Sequence, residues 1–235
     1  MQVKKKHVSL DEIRNGCITT TNGDGTEAKI CMIQEEFRQG IDGIKHYPRA
    51  ATIYGSARIP ETSIYYEKAR RIAYRISKEL GIAIITGGGG SIMEAGNRGA
   101  YEAGGKSIGL TIKLPHEQAT NKYVTDEIPF FFFFARKVSM SYTAEVCLFF
   151  PGGFGTLDEL FGILTLVQTK KIPAMPIILV GSEYWTQVDA FIKNVLRDQY
   201  QAIDPLDTSL YTILDDEDAI LNIVKHAPKR SEDGY

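Results

Sequence analysis

The sequence has few of the residues that build metal centres and disulfide frameworks, and it has no long hydrophobic run. Its three cysteines, Cys17, Cys31 and Cys147, lie far apart without C-x-x-C spacing, and its four histidines form neither an H-x-x-x-H nor an H-E-x-x-H pair. No apolar run approaches the roughly 18 residues that cross a bilayer, and the N-terminus carries lysines where a signal peptide has an apolar core. These absences predict no metal, no disulfide framework, no membrane partner and a cytoplasmic, reduced protein.

The sequence also lacks a large excess of charge of either sign. The net charge is −2 at pH 7, and the basic cluster Lys4, Lys5 and Lys6 is terminal, where a solvated tail is expected. A nucleic-acid partner is therefore not predicted, because binding to a phosphate backbone depends on clustered cations. The length of 235 residues and the 43% hydrophobic content suit one α/β domain with a well-filled core.

The most informative stretch is Pro151–Glu159, with the sequence PGGFGTLDE. It follows the apolar run Val146–Phe150 and precedes a helical pattern that begins near Thr156, which is typical of a strand, a glycine turn and a helix start. Glycines let a ligand approach the main chain, and a helix N-terminus offers unpaired N–H groups and partial positive charge. The stretch therefore predicts a phosphate site with Glu159 about one turn into the helix. Alternatively, Thr156 and Glu159 form a capping box.

A second glycine run, Gly87–Gly90, follows an apolar strand pattern. It is not a dinucleotide fingerprint, because G-x-G-x-x-G would need glycine where Ile92 or Met93 stands. Four consecutive glycines cost conformational entropy on folding, which predicts that something approaches the backbone closely. The pattern Ser91-x-x-Glu94 predicts a capping box for the helix that follows.

Strand and helix patterns alternate from about residue 50 onward. This alternation predicts a Rossmann-like, doubly wound α/β fold with a mainly parallel sheet of six to seven strands and helices on both faces. We expect residues 49–226 to form a single nucleotide-binding domain, residues 1–48 to be an N-terminal extension lying on it, and residues 227–235 to be a loose tail. The strands are predicted at Ala50–Tyr54, Ile82–Thr86, Ser107–Ile112, Ile128–Phe134, Val146–Phe150 and Pro176–Val180, with a last one near Tyr211.

Five phenylalanines follow Pro129, and Arg136 and Lys137 come soon after them at the start of another helical segment. The aromatic run predicts a buried strand over Ile128–Phe134 instead of a ligand platform. Two cations near a helix N-terminus oppose the helix dipole, which costs stability. This placement predicts that Arg136 or Lys137 contacts an anionic ligand.

The helix predicted from Thr156 to about Lys170 is apolar on most sides. A helix of this kind is buried on every face. In a chain of this size a subunit interface would supply the missing cover. The pattern therefore predicts a homodimer or a higher homo-oligomer.

Taken together, these motifs resemble the LOG ("lonely guy") family, the cytokinin riboside 5′-monophosphate phosphoribohydrolases, which are often labelled lysine decarboxylases. The resemblance covers about residues 51–221. It implies hydrolysis of the N-glycosidic bond of a nucleoside 5′-monophosphate, as in an AMP nucleosidase, to free base and ribose 5-phosphate. The matching segments are Gly55-Ser56, Gly87–Gly90 with Ile92–Ala95, Arg136-Lys137 and the PGGxGTxxE signature at Pro151–Glu159, while the long extension and Asn97–Ala100 look like the longer bacterial branch.

The resemblance also implies roles for individual residues. Glu159 and Arg136 would be the catalytic pair, because a carboxylate can stabilise an oxocarbenium-like sugar or activate water, and a guanidinium can hold the substrate. The expected partner is a small-molecule nucleoside monophosphate, with no cofactor and no metal. The residues implied to bind the phosphate and ribose are Ser56, Gly88, Gly89, Lys137, Gly152, Gly153, Gly155 and Thr156.

The sequence is also compatible with other functions. Plant-type members have a D-M-H-x stretch before the R-K pair, whereas this chain has Phe132–Ala135, so a cytokinin substrate is not supported. A lysine decarboxylase would need a lysine for pyridoxal phosphate, and the nearest candidate, Lys137, is matched by the family's R-K pair. A non-catalytic nucleotide sensor or carrier, with Glu159 kept as a helix cap, is a further alternative.

Overall fold

The computed structural model describes residues 7–21, 24–114 and 119–229. Within these ranges the chain forms one sheet of seven strands, in which every neighbouring pair is parallel. The strands are β1 (Ala50–Tyr54), β2 (Ala83–Thr86), β3 (Ser107–Ile112), β4 (Asp126–Phe130), β5 (Val146–Phe149), β6 (Ile177–Leu179) and β7 (Thr212–Ile213). Their order across the sheet is β4-β3-β2-β1-β5-β6-β7, so the predicted doubly wound α/β fold is confirmed.

Helices pack on both faces of the sheet and form two hydrophobic cores with it. One face carries α2 (Gly25–Lys45), α5 (Phe133–Thr143), α6 (Phe154–Gln168) and α7 (Ser182–Ala190), which continues as a π-helix over Phe191–Gln199. The other face carries α3 (Ile64–Leu80), α4 (Ile92–Glu102) and α8 (Glu217–His226). The remaining helix, α1 (Leu10–Thr20), packs on α2, and a short 3-10 turn spans Pro205–Ser209.

Local sequence patterns predicted the central strands and helices, with small errors in where they begin and end. Every residue of β1, β2, β5 and β6 is buried, which explains why their sequences are continuously apolar. Before α3, the Ser63 hydroxyl accepts a hydrogen bond from the Tyr65 N–H, and Gly81 ends the helix in a left-handed conformation with φ of 67°. Both the extent of this helix and its terminating glycine were predicted.

The prediction for the phenylalanine run is wrong in its second half. β4 ends at Phe130, which pairs with Ile112 at the end of β3, so no neighbouring strand continues past this point. The buried Glu36 carboxylate then accepts hydrogen bonds from the N–H groups of Phe131 and Phe132, both at 3.0 Å, and α5 begins at Phe133. The last phenylalanines therefore lie on a turn and a helix, and Phe131, Phe133 and Phe134 are exposed.

The expectation of unpaired cysteines is also corrected. Cys17 on α1 and Cys31 on α2 form a disulfide, with 5.7 Å between their Cα atoms. The two helices fold back on each other, which brings together cysteines whose spacing in sequence matches no familiar framework. Cys147 is free and buried in β5.

Some predictions fall on residues that the structure does not describe. The basic cluster Lys4, Lys5 and Lys6 and the final part of the predicted tail, residues 230–235, lie outside the described residues. Across the helices that are described, none combines the length and the apolar content needed to cross a bilayer.

Candidate active site

A cavity of about 460 Å³ opens at the carboxyl ends of the central strands. The chain leaves β1 toward β2 on one side, whereas β5 lies on the other side of β1, so the cavity is at the point where the strand order reverses. Open α/β sheets bind ligands at this position. The lining residues are Gly55, Ser56, Ala57, Arg58, Gly87, Gly89, Met93, Ile112, Leu114, Phe133, Arg136, Gly153, Phe154, Gly155, Thr156 and Glu159.

The glycine turn after β5 leads directly into α6. The helix has Gly153 as its N-cap residue and no side chain that accepts from its first N–H groups. Thr156 therefore lies inside the first turn, where it is buried, and the alternative interpretation of Thr156 and Glu159 as a capping box is wrong. Gly153 and Gly155 are exposed at the cavity, so this helix N-terminus presents main-chain amides and its partial positive charge to any occupant.

Two hydrogen bonds hold the glycine turn in place. The Ser56 N–H donates to the Pro151 carbonyl at 3.0 Å, and the Tyr184 hydroxyl donates to the Gly152 carbonyl at 2.7 Å. A Cβ atom at Gly152 would clash with the side chain of Thr156, so this position requires glycine for packing. The turn is thus anchored from β1 and α7 while its amide side stays open.

Glu159 is mostly buried at the cavity wall, with 20% of its side chain exposed. Burial, with a smaller contribution from the Asp158 charge, raises the pKa of its carboxyl group to about 7 although Arg136 and Lys137 oppose the increase. The carboxyl group therefore titrates close to neutral pH. Carboxyl groups with pKa values in this range are suited to proton transfer.

Arg136 reaches the same cavity from α5 on the opposite side. Its Nη1 lies 4.0 Å from Glu159 Oε1, and its Nε donates to the Leu110 carbonyl at 2.7 Å. A Cβ atom at Gly87 would overlap Arg136 Nη2, so the first glycine of the second run leaves the space that the guanidinium occupies. Burial lowers the pKa of Arg136, and Glu159 counteracts that effect.

The rest of the second glycine run is fixed by its own hydrogen bonds. Gly88 has a φ of 72°, its N–H donates to Thr86 Oγ1, and its carbonyl accepts from the N–H and the amide side chain of Asn121. The Asn121 side chain also donates to the Gly89 carbonyl. Gly88 is therefore needed for the turn itself, and its atoms face the protein instead of the cavity.

The predicted capping box at Ser91 is not formed. Ser91 precedes α4 with a φ of 62°, and its hydroxyl donates to the Ile59 carbonyl at 2.7 Å instead of accepting from the helix. Glu94 accepts a hydrogen bond from the Tyr66 hydroxyl at 3.3 Å. Ser91 therefore ties the loop after β1 to the start of α4.

The structure brings most of the predicted site residues to one cavity. Those that line it are Ser56, Gly89, Arg136, Gly153, Gly155, Thr156 and Glu159. Gly88 and Gly152 shape the two turns from outside the lining. Lys137 also lies apart from the lining, because its Nζ donates to the Asp158 carboxylate at 2.8 Å and to the Asp158 carbonyl at 3.0 Å.

Sequence reasoning missed Arg58 and Phe133 as cavity residues. Arg58 follows Ser56 by two residues, and its N–H donates to Ser56 Oγ at 2.9 Å. Its guanidinium is not paired with any carboxylate within the described ranges, in contrast to Arg136. Proximity in sequence to Ser56 was the available signal for Arg58, whereas Phe133 was assigned to a buried strand.

The strand order divides the cavity lining into a polar and an apolar part. Ser56 and Arg58 follow β1, and the glycine turn follows β5, so the polar part lies over these two adjacent strands. Ile112 and Leu114 come at the end of β3, and Phe133 follows β4 at the sheet edge. Arg136 and Glu159 meet between these two parts.

The chain matches a family model, individual protein sequences and solved structures. The family model described as "Possible lysine decarboxylase" matches residues 93–224. An uncharacterised protein of Archaeoglobus fulgidus is 29% identical over 121 residues, which is 49% of this chain and 77% of that protein. A probable cytokinin riboside 5′-monophosphate phosphoribohydrolase of rice is 28% identical, over 56% of this chain and 64% of its own length. An Arabidopsis thaliana enzyme of that name is 26% identical, over 67% and 71%.

Solved structures share the fold at low sequence identity. The molybdenum cofactor binding protein of Rippkaea orientalis superposes with a TM-score of 0.55 at 19% identity, covering 76% of this chain and 96% of its own. The molybdenum cofactor carrier protein of Chlamydomonas reinhardtii gives a TM-score of 0.55 at 21% identity, covering 76% and 97%. These likenesses establish the common α/β architecture.

Proposed function

Because the chain belongs to the family described as "Possible lysine decarboxylase", which includes the LOG-type phosphoribohydrolases, we propose that it is a nucleoside 5′-monophosphate phosphoribohydrolase. The reaction is hydrolysis of the N-glycosidic bond, which yields the free base and ribose 5-phosphate. The observation that carries the proposal is the placement of Glu159 and Arg136 on facing walls of a cavity that also receives the amides of the α6 N-terminus.

The substrate phosphate binds at the polar part of the cavity. The N–H groups of Gly153, Gly155 and Thr156 and the partial positive charge of α6 recognise the anion there. Arg58 adds a full charge that no carboxylate in the described ranges neutralises. Phosphate binding at this end leaves the ribose beside Glu159 and Arg136, which lie 4.0 Å apart.

The chemical step uses the charge of Glu159 where the sugar becomes cationic. As the C1′–N bond breaks, positive charge develops on the ribose, and the ionised carboxylate stabilises it. Glu159 then takes a proton from the attacking water as the new C1′–O bond forms, and it passes that proton to the departing base nitrogen, which restores the ionised carboxylate. Arg136 holds the substrate through its guanidinium, because arginine is a poor proton donor.

The base lies toward the apolar part of the cavity. Ile112, Leu114 and the exposed ring of Phe133 offer apolar contact and aromatic stacking there. This chain has Phe133 in the stretch where plant-type members carry D-M-H-x. We therefore expect this chain to select its base by stacking on the Phe133 ring more than by hydrogen bonds of the kind that a histidine could form.

Lysine decarboxylation does not fit the residues of this cavity. A pyridoxal phosphate enzyme holds its cofactor as a Schiff base on a lysine. No lysine is present among the described residues of the lining, and the Lys137 ammonium group is bound to Asp158. The family description therefore does not give the reaction of this chain.

One assay separates hydrolysis from simple nucleotide binding. Purified protein is incubated with AMP, GMP, CMP, UMP and IMP, and released base is measured by chromatography. We expect base from at least one nucleotide, loss of release in Glu159→Gln, and retention in Asp158→Asn, whose carboxylate lies outside the cavity lining. Tight nucleotide binding without release above the Glu159→Gln background would favour the sensor or carrier alternative.

We also propose that the chain forms a homo-oligomer. In the single chain α6 buries one face through Leu160, Ile163 and Val167, while Leu157, Phe161 and Leu164 stay partly exposed. Association of two chains would cover this remaining apolar surface. Light scattering coupled to size-exclusion chromatography is expected to give a mass of at least twice the 26.2 kDa of the chain.

A further inference from the structure

The N-terminal extension packs against the helix that carries Arg136. α2 lies along α5 and the end of β4, and Gly40 allows the close approach, because a Cβ atom there would clash with Ser139 and Phe130. The rings of Phe37 and Phe134 are 6.2 Å apart. The extension thus supports one wall of the candidate active site.

Glu36 makes the most specific contact between α2 and this wall. Its side chain is fully buried, and its two carboxylate oxygens accept from Phe131 N–H and Phe132 N–H, each at 3.0 Å. Burial raises the pKa of Glu36, while these two hydrogen bonds lower it. A buried carboxylate is costly unless hydrogen bonds satisfy it, and here both partners are main-chain amides of a single turn.

A short chain of hydrogen bonds connects Glu36 to Arg136. Phe132 is the N-cap residue of α5 and has no side chain that can cap the helix. Its N–H is held by Glu36, and its carbonyl accepts from the Arg136 N–H at 3.1 Å. The position of the Phe132 peptide therefore sets where α5 begins and in which direction Arg136 points.

We propose that Glu36 is a positioning residue for the candidate active site: by holding the Phe131–Phe132 turn, it fixes the guanidinium of Arg136 next to Glu159. The extension is then a structural part of the site. The kinetic consequence rests on the proposed function, whereas the geometric consequence does not depend on it.

The test uses full-length Glu36→Gln and Glu36→Ala, with Glu35→Gln as the matched control. Glu35 is adjacent on α2, but its carboxylate pairs with Arg38 at the surface. Glu36→Gln keeps the shape of the side chain and turns an N–H₂ donor toward one of the two amides, so the turn loses one acceptor. The primary measurement is the pKa of Glu159 by ¹³C NMR of labelled glutamate carboxyl groups, with the signal assigned by its loss in Glu159→Gln.

The expected direction follows from the charges around Glu159. Arg136 and Lys137 on α5 lower its pKa, Asp158 on α6 raises it, and Tyr54 and Cys147 approach it from β1 and β5. If the guanidinium moves away, its attraction is lost and the Glu159 pKa rises above about 7. The hydrogen bond from Arg136 Nε to the Leu110 carbonyl keeps the guanidinium partly in place. The Glu159 pKa should therefore rise, but by less than it would if the interaction with Arg136 were lost completely.

The outcomes separate a positioning role from a purely structural one. We expect both Glu36 variants to raise the Glu159 pKa and to lower kcat/KM about ten-fold, because a displaced guanidinium no longer holds the substrate in line with Glu159, while Glu35→Gln matches the wild type. A folded Glu36→Gln protein with a lower melting temperature but an unchanged Glu159 pKa would overturn the proposal. If the wild type cleaves no nucleotide, the proposed function fails, and the NMR titration still decides this inference.

Discussion

Glu159 combines two requirements that oppose each other. In the proposed reaction its carboxyl group is ionised to stabilise a cationic sugar, yet burial favours the neutral form and raises the pKa to about 7. Arg136, at 4.0 Å, offsets part of this effect. Because burial and Arg136 act in opposite directions, Glu159 titrates within the pH range in which activity and stability can both be measured.

The activity should therefore show an acid limb set by Glu159. We expect kcat/KM for the preferred nucleotide to rise with pH and to reach half its maximum near pH 7, because the ionised carboxylate is the active form. The nucleotide phosphate also titrates, near pH 6. Asp158→Asn distinguishes the two groups, since removing this negative charge lowers the Glu159 pKa and leaves the phosphate unchanged. A limb that does not move in Asp158→Asn would contradict the assignment to Glu159.

The same carboxyl group should reduce stability at alkaline pH. Its folded pKa of about 7 lies above the ordinary value of 4.5, so the stabilising contribution is complete below pH 4.5 and is lost as pH rises through 7. Glu159→Gln removes this loss, and we expect it to raise the free energy of unfolding by up to about 3 kcal/mol at pH 8 but little at pH 5. Urea unfolding at both pH values measures the difference. Equal effects at the two pH values would show that the substitution acts through packing.

Arg58 should distinguish ligands that carry a phosphate from those that do not. Arg58→Gln is expected to weaken ribose 5-phosphate or nucleotide binding by at least about ten-fold, since a charge-assisted hydrogen bond contributes roughly 1.5–3 kcal/mol. Affinity for the corresponding nucleoside should not change. Calorimetric titration of both ligands tests this, with Arg71→Gln as the control, because Arg71 pairs with Glu217 at the protein surface. Equal weakening of nucleotide and nucleoside binding would place Arg58 away from the phosphate.

At the scale of elements, the two glycine runs differ in what they do. The turn before α6 exposes amides to the cavity, whereas Gly87–Gly90 shapes the space around Arg136 and is locked by Asn121. The entropy argument for the second run predicted a close approach to its backbone. In the structure, the group that lies close to this backbone is the Arg136 guanidinium of the same chain, next to Gly87.

Two substitutions within the second run test this difference. Gly87→Ala should displace the Arg136 guanidinium and lower kcat/KM about 100-fold, since a shift of 1 Å in a catalytic group can cost that much. Gly90→Ala adds a methyl group where nothing lies within 4 Å, so its activity should stay near the wild-type level. Steady-state kinetics on both variants, together with circular dichroism to confirm folding, provides the comparison. Equal losses in the two variants would indicate general loop damage.

The elements that the sequence predicted well are those defined by local signals. α3 has a capping serine, a regular apolar face and a terminating glycine, and all three appear in the structure. The phenylalanine run has no such signals, because phenylalanine suits both a strand and a helix. Its bend into α5 depends on Glu36, about 95 residues earlier in the chain. No local pattern in the sequence carries that contact.

At the scale of the whole molecule, the sheet order explains why the candidate site was predictable in part. Alternation of strands and helices implied a doubly wound sheet, and this fold brings loops that follow different strands to one edge. Glu159 and Arg136 could be nominated because their motifs are local. The exclusion of Lys137 and the inclusion of Arg58 depend on side-chain directions, which the spacing of residues does not determine.

The Cys17–Cys31 disulfide is a whole-molecule feature, because it bears on where the chain can reside. The paired cysteines are 14 residues apart, and a crosslink of this length stabilises a folded unit by about 3 kcal/mol. Because α1 packs mainly on α2, we expect reduction to lower the stability of this hairpin and to leave the Rossmann-like sheet folded. Thiol counting in denaturant without reductant should give one free thiol, Cys147, rising to three after reduction.

Hydrogen exchange before and after reduction locates the effect, and a Cys17→Ser/Cys31→Ser variant is the control. Faster exchange after reduction should be confined to α1 and the start of α2, while the double variant should show the same exchange with and without reductant. Glu36 lies more than a turn beyond Cys31 on α2, so its hold on the α5 turn should persist in the reduced protein. Three free thiols in the untreated protein would contradict the disulfide and support the reduced, cytoplasmic state that the cysteine spacing predicted.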